Sequence, residues 1–116
     1  MKTFKDNRGE IEDIFVNSDY AITRVSFTSG AIRGNHYHKE TQQIDVITEG
    51  KLLCRSKEGK IVNERIVKKG DTLVHNPNVA HAYQALESSE LVTICLGVRK
   101  GEDYEKDTFK LEIPLI

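Results

Sequence analysis

The sequence predicts an all-β fold, a single small sandwich or barrel, and three observations predict it. Glycines at positions 50, 59 and 70, each after a charged residue, stand nine and eleven residues apart, the spacing of consecutive short strands. The stretch "YAITRVSF" (20–27) alternates apolar and polar side chains and stops at "TSG". No segment sustains an apolar stripe at helical period.

The elements follow in order. After the 20–27 strand, "GNHYHK" reads as extended, with Gly34 letting the chain turn into it. From Gln43 onward, "QIDVITEGKLLCRSKEGKIVNERIVKKGDTLVHNP" holds strands punctuated by the three glycine turns, whose charged flanks keep them in water. "PNVAHAY" is a further strand after a proline, and "SSELVTICLGV" (88–98) is an apolar, β-branched strand expected to be buried on both faces. "GEDYEKDTFKL" reads as either a helical turn or an edge segment. The charge cluster 99–107 reads as a solvated terminus. The apolar tail "LEIPLI" suits either an edge or partner contact, or packing on its own barrel.

Composition narrows the function classes. The 116 residues are read as one domain, 1–116, with 38% apolar and 30% charged side chains, the mix of a soluble globular protein. A formal charge of −1 gives no general reason to bind nucleic acid or an anionic membrane. No apolar run approaches the roughly 20 residues that span a bilayer. The acidic start lacks the apolar core of a secretory signal, and Cys54 and Cys95 stand far apart without CxxC spacing. A cytoplasmic protein with two buried, inert thiols is expected.

The chemistry concentrates on histidines. In a strand, residues i and i+2 share a face and lie roughly 7 Å apart, so His36 and His38 point the same way. His81 and Tyr83 repeat that spacing after Pro77, and Gln43 begins a strand with Asp45 on its face. Such a polar set inside a small barrel is costly to desolvate unless its members pair with each other, a metal or a ligand. Asp45 reads equally as a site member or a solvated strand residue. His75, in "TLVHNP", reads as structural.

These residues carry a family resemblance. "GNHYHKETQQIDVITEG" resembles the first cupin motif, with His36, His38, Gln43 and Gly50 in its places. "GDTLVHNPNVAH" resembles the second, with Gly70, Asp71, Pro77 and His81, although Val79 stands where that motif usually has glycine. The resemblance covers roughly residues 6 to 98 and implies a cupin double-stranded β-helix, a jelly-roll barrel. The metal-binding pattern wants Glu where this chain has Gln43. Gln can ligate through its carbonyl oxygen, more weakly than a carboxylate. His36, His38 and His81 could still form a three-histidine set for Zn, Fe, Ni or Mn, but the resemblance no longer implies a metal.

Within the cupins, "DNRGEIEDIF" and "RGNHYHK" resemble the small enzymes of nucleotide-linked deoxysugars: 3,5-epimerases, 3,4-ketoisomerases and capsular polysaccharide cupins. The epimerase resemblance places a general base on His36. The ketoisomerase resemblance matches His36, His38, Lys39 and Gln43. The capsular branch shares "RGNHYH" and can hold a metal. The reading that follows is an isomerase or epimerase of a nucleotide-linked 4-keto-deoxysugar in surface polysaccharide or deoxysugar synthesis, requiring no cofactor. In it, His36 is the base, His38 a second proton-transfer or enolate-stabilising group, and Tyr83 the acid, with Tyr20, Tyr37 and Tyr104 also open. Arg33, Gln43 and His81 bind substrate, Arg33 gripping a diphosphate, while Arg24 reads as surface. The alternatives are a metal-dependent, oxygenase-type cupin and a non-catalytic sugar-binding barrel. The resemblance also implies a homodimer.

Overall fold

Period-2 alternation along successive strands sorts the side chains into one inward and one outward set, and two sheets close over the inward one. The computed structural model describes residues 3–97 and 106–116. Its strands are β1 (Thr3–Asp6), β2 (Gly9–Val16), β3 (Tyr20–Phe27), β4 (Ile32–Tyr37), β5 (Gln42–Glu49), β6 (Lys51–Glu58), β7 (Ile61–Lys68), β8 (Thr72–His75), β9 (Ala80–Ala85), β10 (Ser89–Leu96) and β11 (Phe109–Lys110). One sheet runs β1-β2-β3-β10-β5-β8 and the other β11-β4-β9-β6-β7, with antiparallel neighbours throughout. No α-helix occurs among the described residues.

The core is a cluster of Phe27, Ile47, Leu52, Cys54, Val67, Leu73, Tyr83, Ala85 and Leu91 drawn from both sheets. Each fully buried Leu, Ile or Phe contributes about 1.5–3 kcal/mol over its exposed state. The expected strand 20–27 coincides with β3. In β10, by contrast, only one face is buried. Leu91 and Cys95 point into the core, while Val92 and Ile94 are half-buried, since among the described residues no further layer lies over that sheet.

The glycine turns divide into two kinds. Of the three, only the turn at Glu58–Ile61 is a hairpin, where β6 and β7 pair. At Gly50 it crosses from one sheet to the other, since β5 and β6 belong to different sheets. Gly50 has φ 84°, and a Cβ there would meet the Ser88 carbonyl oxygen at 2.5 Å. The corner therefore excludes any side chain.

The C-terminal segment packs against its own barrel. Lys106 and Asp107 form a short 3₁₀ turn, and β11 then adds to β4, with Phe109 stacked on Tyr37 at 5.4 Å. The tail "LEIPLI" is held by Asn35, whose Oδ1 accepts from the Leu115 N–H at 2.7 Å, and by Arg55, whose Nη1 donates to the Leu115 carbonyl at 2.8 Å. The solvated-terminus reading fails at Asp107, which is 4% exposed.

Candidate active site

Adjacent strands of one sheet bring the histidines together. β4 pairs with β9 so that His36 lies directly across from His81, and a register shift between Gly34 and His36 marks a β-bulge. Asn35 occupies the bulge at φ 57°, a left-handed conformation that asparagine tolerates. Gly34, at φ 95°, lets β9 come close: a Cβ there would meet the His81 carbonyl oxygen at 2.8 Å. His38 lies just beyond the end of β4, with its ring centroid 4.9 Å from that of His36.

Ligand-type nitrogens of His36, His38 and His81 all lie within 4.8 Å of one another, and His36 Nε2 is 3.1 Å from His81 Nε2. Burial pushes His81 well below the usual imidazole value, and the neighbouring His75, His36 and His38 push it further. It is thus a neutral ring at neutral pH, the form that ligates metals.

The tautomer of His38 follows from its partners. Its Nδ1 lies 2.8 Å from the Asp107 carbonyl oxygen, which only accepts, so Nδ1–H donates. A neutral ring then carries its lone pair on Nε2, which faces Gln43 Oε1 at 3.1 Å. The Gln43 amide cannot usefully turn round, because its nitrogen donates to both oxygens of Asp45 at 3.0 Å. Two acceptors therefore face one another beside two further imidazoles. A divalent cation satisfies that arrangement, whereas an extra proton would put a buried imidazolium against its neighbours. The donor set of three imidazoles and an amide oxygen fits a divalent transition metal. The Asp107 carbonyl supplies the outer hydrogen bond that ligating histidines commonly make.

Behind this cluster lies a second polar group. Asp45, fully buried, accepts from Tyr83 Oη at 2.6 Å, and His75 Nε2 lies 2.7 Å from the phenol oxygen and 3.2 Å from Asp45 Oδ2. Burial would raise the Asp45 carboxyl, but hydrogen bonds from His75, Thr93 and Tyr83 and the charge of His75 hold it below its ordinary value. Burial and the Asp45 charge raise the Tyr83 phenol well above 10, so it stays protonated. His75, read from sequence as structural, stacks on His81 with ring centroids 4.2 Å apart and fixes the plane of that ring.

A cavity of about 230 Å³ opens onto the cluster, with His36, His81, Gln43, Asp45, Tyr83 and Arg33 on its wall. Arg33, 8% exposed, donates to the Ser26 carbonyl at 3.1 Å and lies 5.4 Å from the Phe27 ring centroid. His38, 2% exposed, stands behind the wall rather than on it. Arg24 is on the outer surface, ion-paired with Glu10, Glu12 and Glu90 at 3.4–3.5 Å. Tyr20 packs beside Phe15 and Tyr37 beside Phe109, both off the cavity wall; Tyr104 lies outside the described residues.

Asp107 was missed in the sequence because its charged neighbours disguise it. Its carboxylate accepts from the N–H groups of Lys39, Glu40 and Thr41 and from Thr41 Oγ1, tying down the turn that follows His38. No sequence spacing signals this, since the partners lie more than 60 residues apart.

Comparison with known proteins agrees with this geometry. The sequence profile of the Cupin family matches residues 13–109. The chain is a cupin. No curated protein matches its sequence. Among solved structures, this cupin superposes on the capsular polysaccharide assembling protein CapF from Staphylococcus aureus with a TM-score of 0.82 at 20% identity, covering 97% of this chain and 32% of CapF. A variant of the oxalate decarboxylase of Bacillus subtilis gives 0.81 at 22% identity, covering 95% of this chain and 30% of the decarboxylase. KdgF from Halomonas sp. gives 0.71 at 21% identity, covering 84% and 88%. This cupin thus spans about a third of CapF and of the decarboxylase, and at these identities the likeness is one of fold.

Proposed function

We propose that this cupin is a metal-dependent enzyme that moves a proton on a small keto sugar, an isomerase or epimerase with a divalent Zn, Fe, Ni or Mn ion held by His36, His38, His81 and Gln43. The observation that carries the reading is the His38 Nε2 lone pair facing the Gln43 carbonyl oxygen across 3.1 Å. The ion would supply Lewis-acid polarisation of a substrate oxygen. The chain's own groups do the rest. Arg33 holds an anionic substituent, as guanidinium grips carboxylate and phosphate in two-pronged fashion. Tyr83 on the cavity wall and the buried Asp45 form the proton relay. The phenol oxygen takes the substrate's C–H proton as its own proton passes to Asp45, 2.6 Å away, and the reverse transfer returns a proton to the enolate. With about 230 Å³ available, the sugar ring sits inside and any nucleotide lies at the mouth. His38, behind the wall, acts as a ligand and not on the substrate.

The test joins metal content with isotope exchange. Untagged protein should carry about one divalent ion per chain, and incubation with dTDP-4-keto-6-deoxyglucose or a related 4-keto sugar in D₂O should place deuterium at C3 or C5. Tyr83→Phe should cut exchange by about 10²–10⁴-fold with metal content unchanged. Exchange at full rate in metal-free protein would sink the proposal and restore His36 as the base.

A second reading rests on the cavity's size. About 230 Å³ also suits a small organic acid, which favours an oxygenase-type metal-dependent cupin. Metal with no exchange on any keto sugar would select it. The homodimer and the cytoplasmic location belong to the same proposal; sedimentation velocity reads the first.

A further inference from the structure

The barrel has a second opening, on the side away from the cavity just described. β7 and β8 are the terminal strands of opposite sheets, and no ladder joins them. Their connecting turn is stitched to β5, where Ile47 N–H donates to the Asp71 carbonyl at 2.9 Å and Gly70 N–H to the Ile47 carbonyl at 2.8 Å. Away from that stitch a cleft of about 430 Å³ lies between the two strands, on the scale of small-molecule sites.

Its walls combine the apolar side chains of Cys54, Leu73, Val74 and Val79 with a polar set. Val67 of β7 points into the core with no exposure, so Asn63 and Arg65 share its face and line the cleft. Ser56 and Thr72 add hydroxyls from β6 and β8. The positive charge of Arg65 acts on the Cys54 thiol of the same wall, opposing the burial and the Asp45 charge that push that thiol up to about 12. Among the described residues no carboxylate makes an ion pair with Arg65. Its neighbour Glu64, also on the wall, is taken by Arg55 Nε at 2.6 Å. A cation that makes no ion pair among the described residues, beside hydroxyl and amide side chains at the mouth of a half-open cleft, is the chemistry that receives an anion.

We infer that this cleft is a second binding site, for a small phosphate- or carboxylate-bearing ligand gripped by Arg65 with help from Asn63 and Ser56. His75 also lines the cleft while its ring stacks on His81 at 4.2 Å. The occupant therefore touches the residue that backs the histidine cluster, and filling the cleft is felt on the far side of the wall. The inference does not depend on the proposed metal or reaction.

The test is a ¹H–¹⁵N NMR titration of the full chain with inorganic phosphate and, separately, citrate. Saturable shifts should map to Asn63, Arg65 and His75, and the probe that produces them names the anion class. Arg65→Gln should weaken binding by about tenfold or more, and Arg65→Lys should restore part of it, since it keeps the charge and loses the fork. Arg24→Gln, a surface control already ion-paired, should change nothing. Arg65 is exposed, so Arg65→Gln should unfold at the wild-type urea concentration, which separates lost binding from lost fold. Wild-type affinity in Arg65→Gln, shifts confined to Arg33 and His36, or no saturable binding of either probe would each overturn the inference.

Discussion

Replacing Asp107 with alanine should cost about 2–5 kcal/mol of stability, the figure following from what each of its partners can recover. The carboxylate accepts four hydrogen bonds, from Lys39 N at 3.0 Å, Glu40 N at 3.1 Å, Thr41 N at 2.8 Å and Thr41 Oγ1 at 2.7 Å. Lys39 and Glu40 are exposed, so their amides regain water and lose about 0.5 kcal/mol each. Thr41 is 0% exposed, and the loss of its two hydrogen bonds to the carboxylate costs about 0.5–2 kcal/mol each. Chemical unfolding followed by circular dichroism reads the difference, and a domain of this size should lose about 10–20 °C in Tm. Thr41→Val, which removes the hydroxyl and leaves the amide bonded, should cost only part of this, about 1–2 kcal/mol. The acid limb gives an independent check. Burial raises the Asp107 carboxyl, but the Thr41 hydroxyl and the three amides outweigh it and hold it below 3.8. A carboxyl depressed in the folded state stabilises at neutral pH, and that stabilisation disappears as pH falls below 3.8 through the folded value. Asp107→Ala should therefore flatten the loss of stability in that window. An Asp107→Ala protein within about 0.5 kcal/mol of wild type would refute the reasoning, because surface changes without buried partners fall in that range.

Gly34→Ala should destabilise by about 2–4 kcal/mol and weaken metal binding, since it combines a strained φ of 95° with a Cβ 2.8 Å from the His81 carbonyl oxygen; calorimetry of metal binding and urea unfolding read the two effects. Cys54, with its thiol pushed up to about 12, and Cys95, 2% exposed, should both resist a thiol reagent at pH 8 until denaturant is added. Chelator should lower Tm and the restored ion raise it, by RT ln(1 + [M]/Kd) at the midpoint, about 2.7 kcal/mol at one hundred times Kd. Asn35→Ala should release residues 111–116, seen as faster amide exchange at Leu115, while leaving the core intact.

What the sequence made legible was local and periodic. Strand β3, the hairpin around Gly59 and the shared face of His36 and His38 all follow from side-chain alternation and turn residues a few positions apart. The convergence of His81 on that pair was carried by motif resemblance and is borne out by the β4–β9 register. What stayed hidden was set by partners far along the chain. Gly50 has the sequence of a hairpin turn, but only the packing of Leu52 and Ile47 from opposite sheets shows that the chain changes layer there. His75 and Asp45 look like ordinary strand residues until β8 and β5 bring them to Tyr83 of β9. Asp107 sits in a run of charges that composition assigns to water, and its partners lie on the opposite side of the barrel's sequence.

The order of synthesis gives the C-terminal strap one more consequence. His38 and Gln43 emerge from the ribosome five residues apart, but His81 follows His36 by 45 residues, and the Asp107 carbonyl follows His38 by 69. A nascent chain stalled before residue 81 has two imidazoles and an amide on an unpaired strand, and one stalled before 107 lacks the group that fixes the His38 proton. On the proposed reading, tight capture of an ion would wait until residue 107 has been made and has folded back, and fragments that stop short of it should exchange metal freely where the 116-residue chain does not.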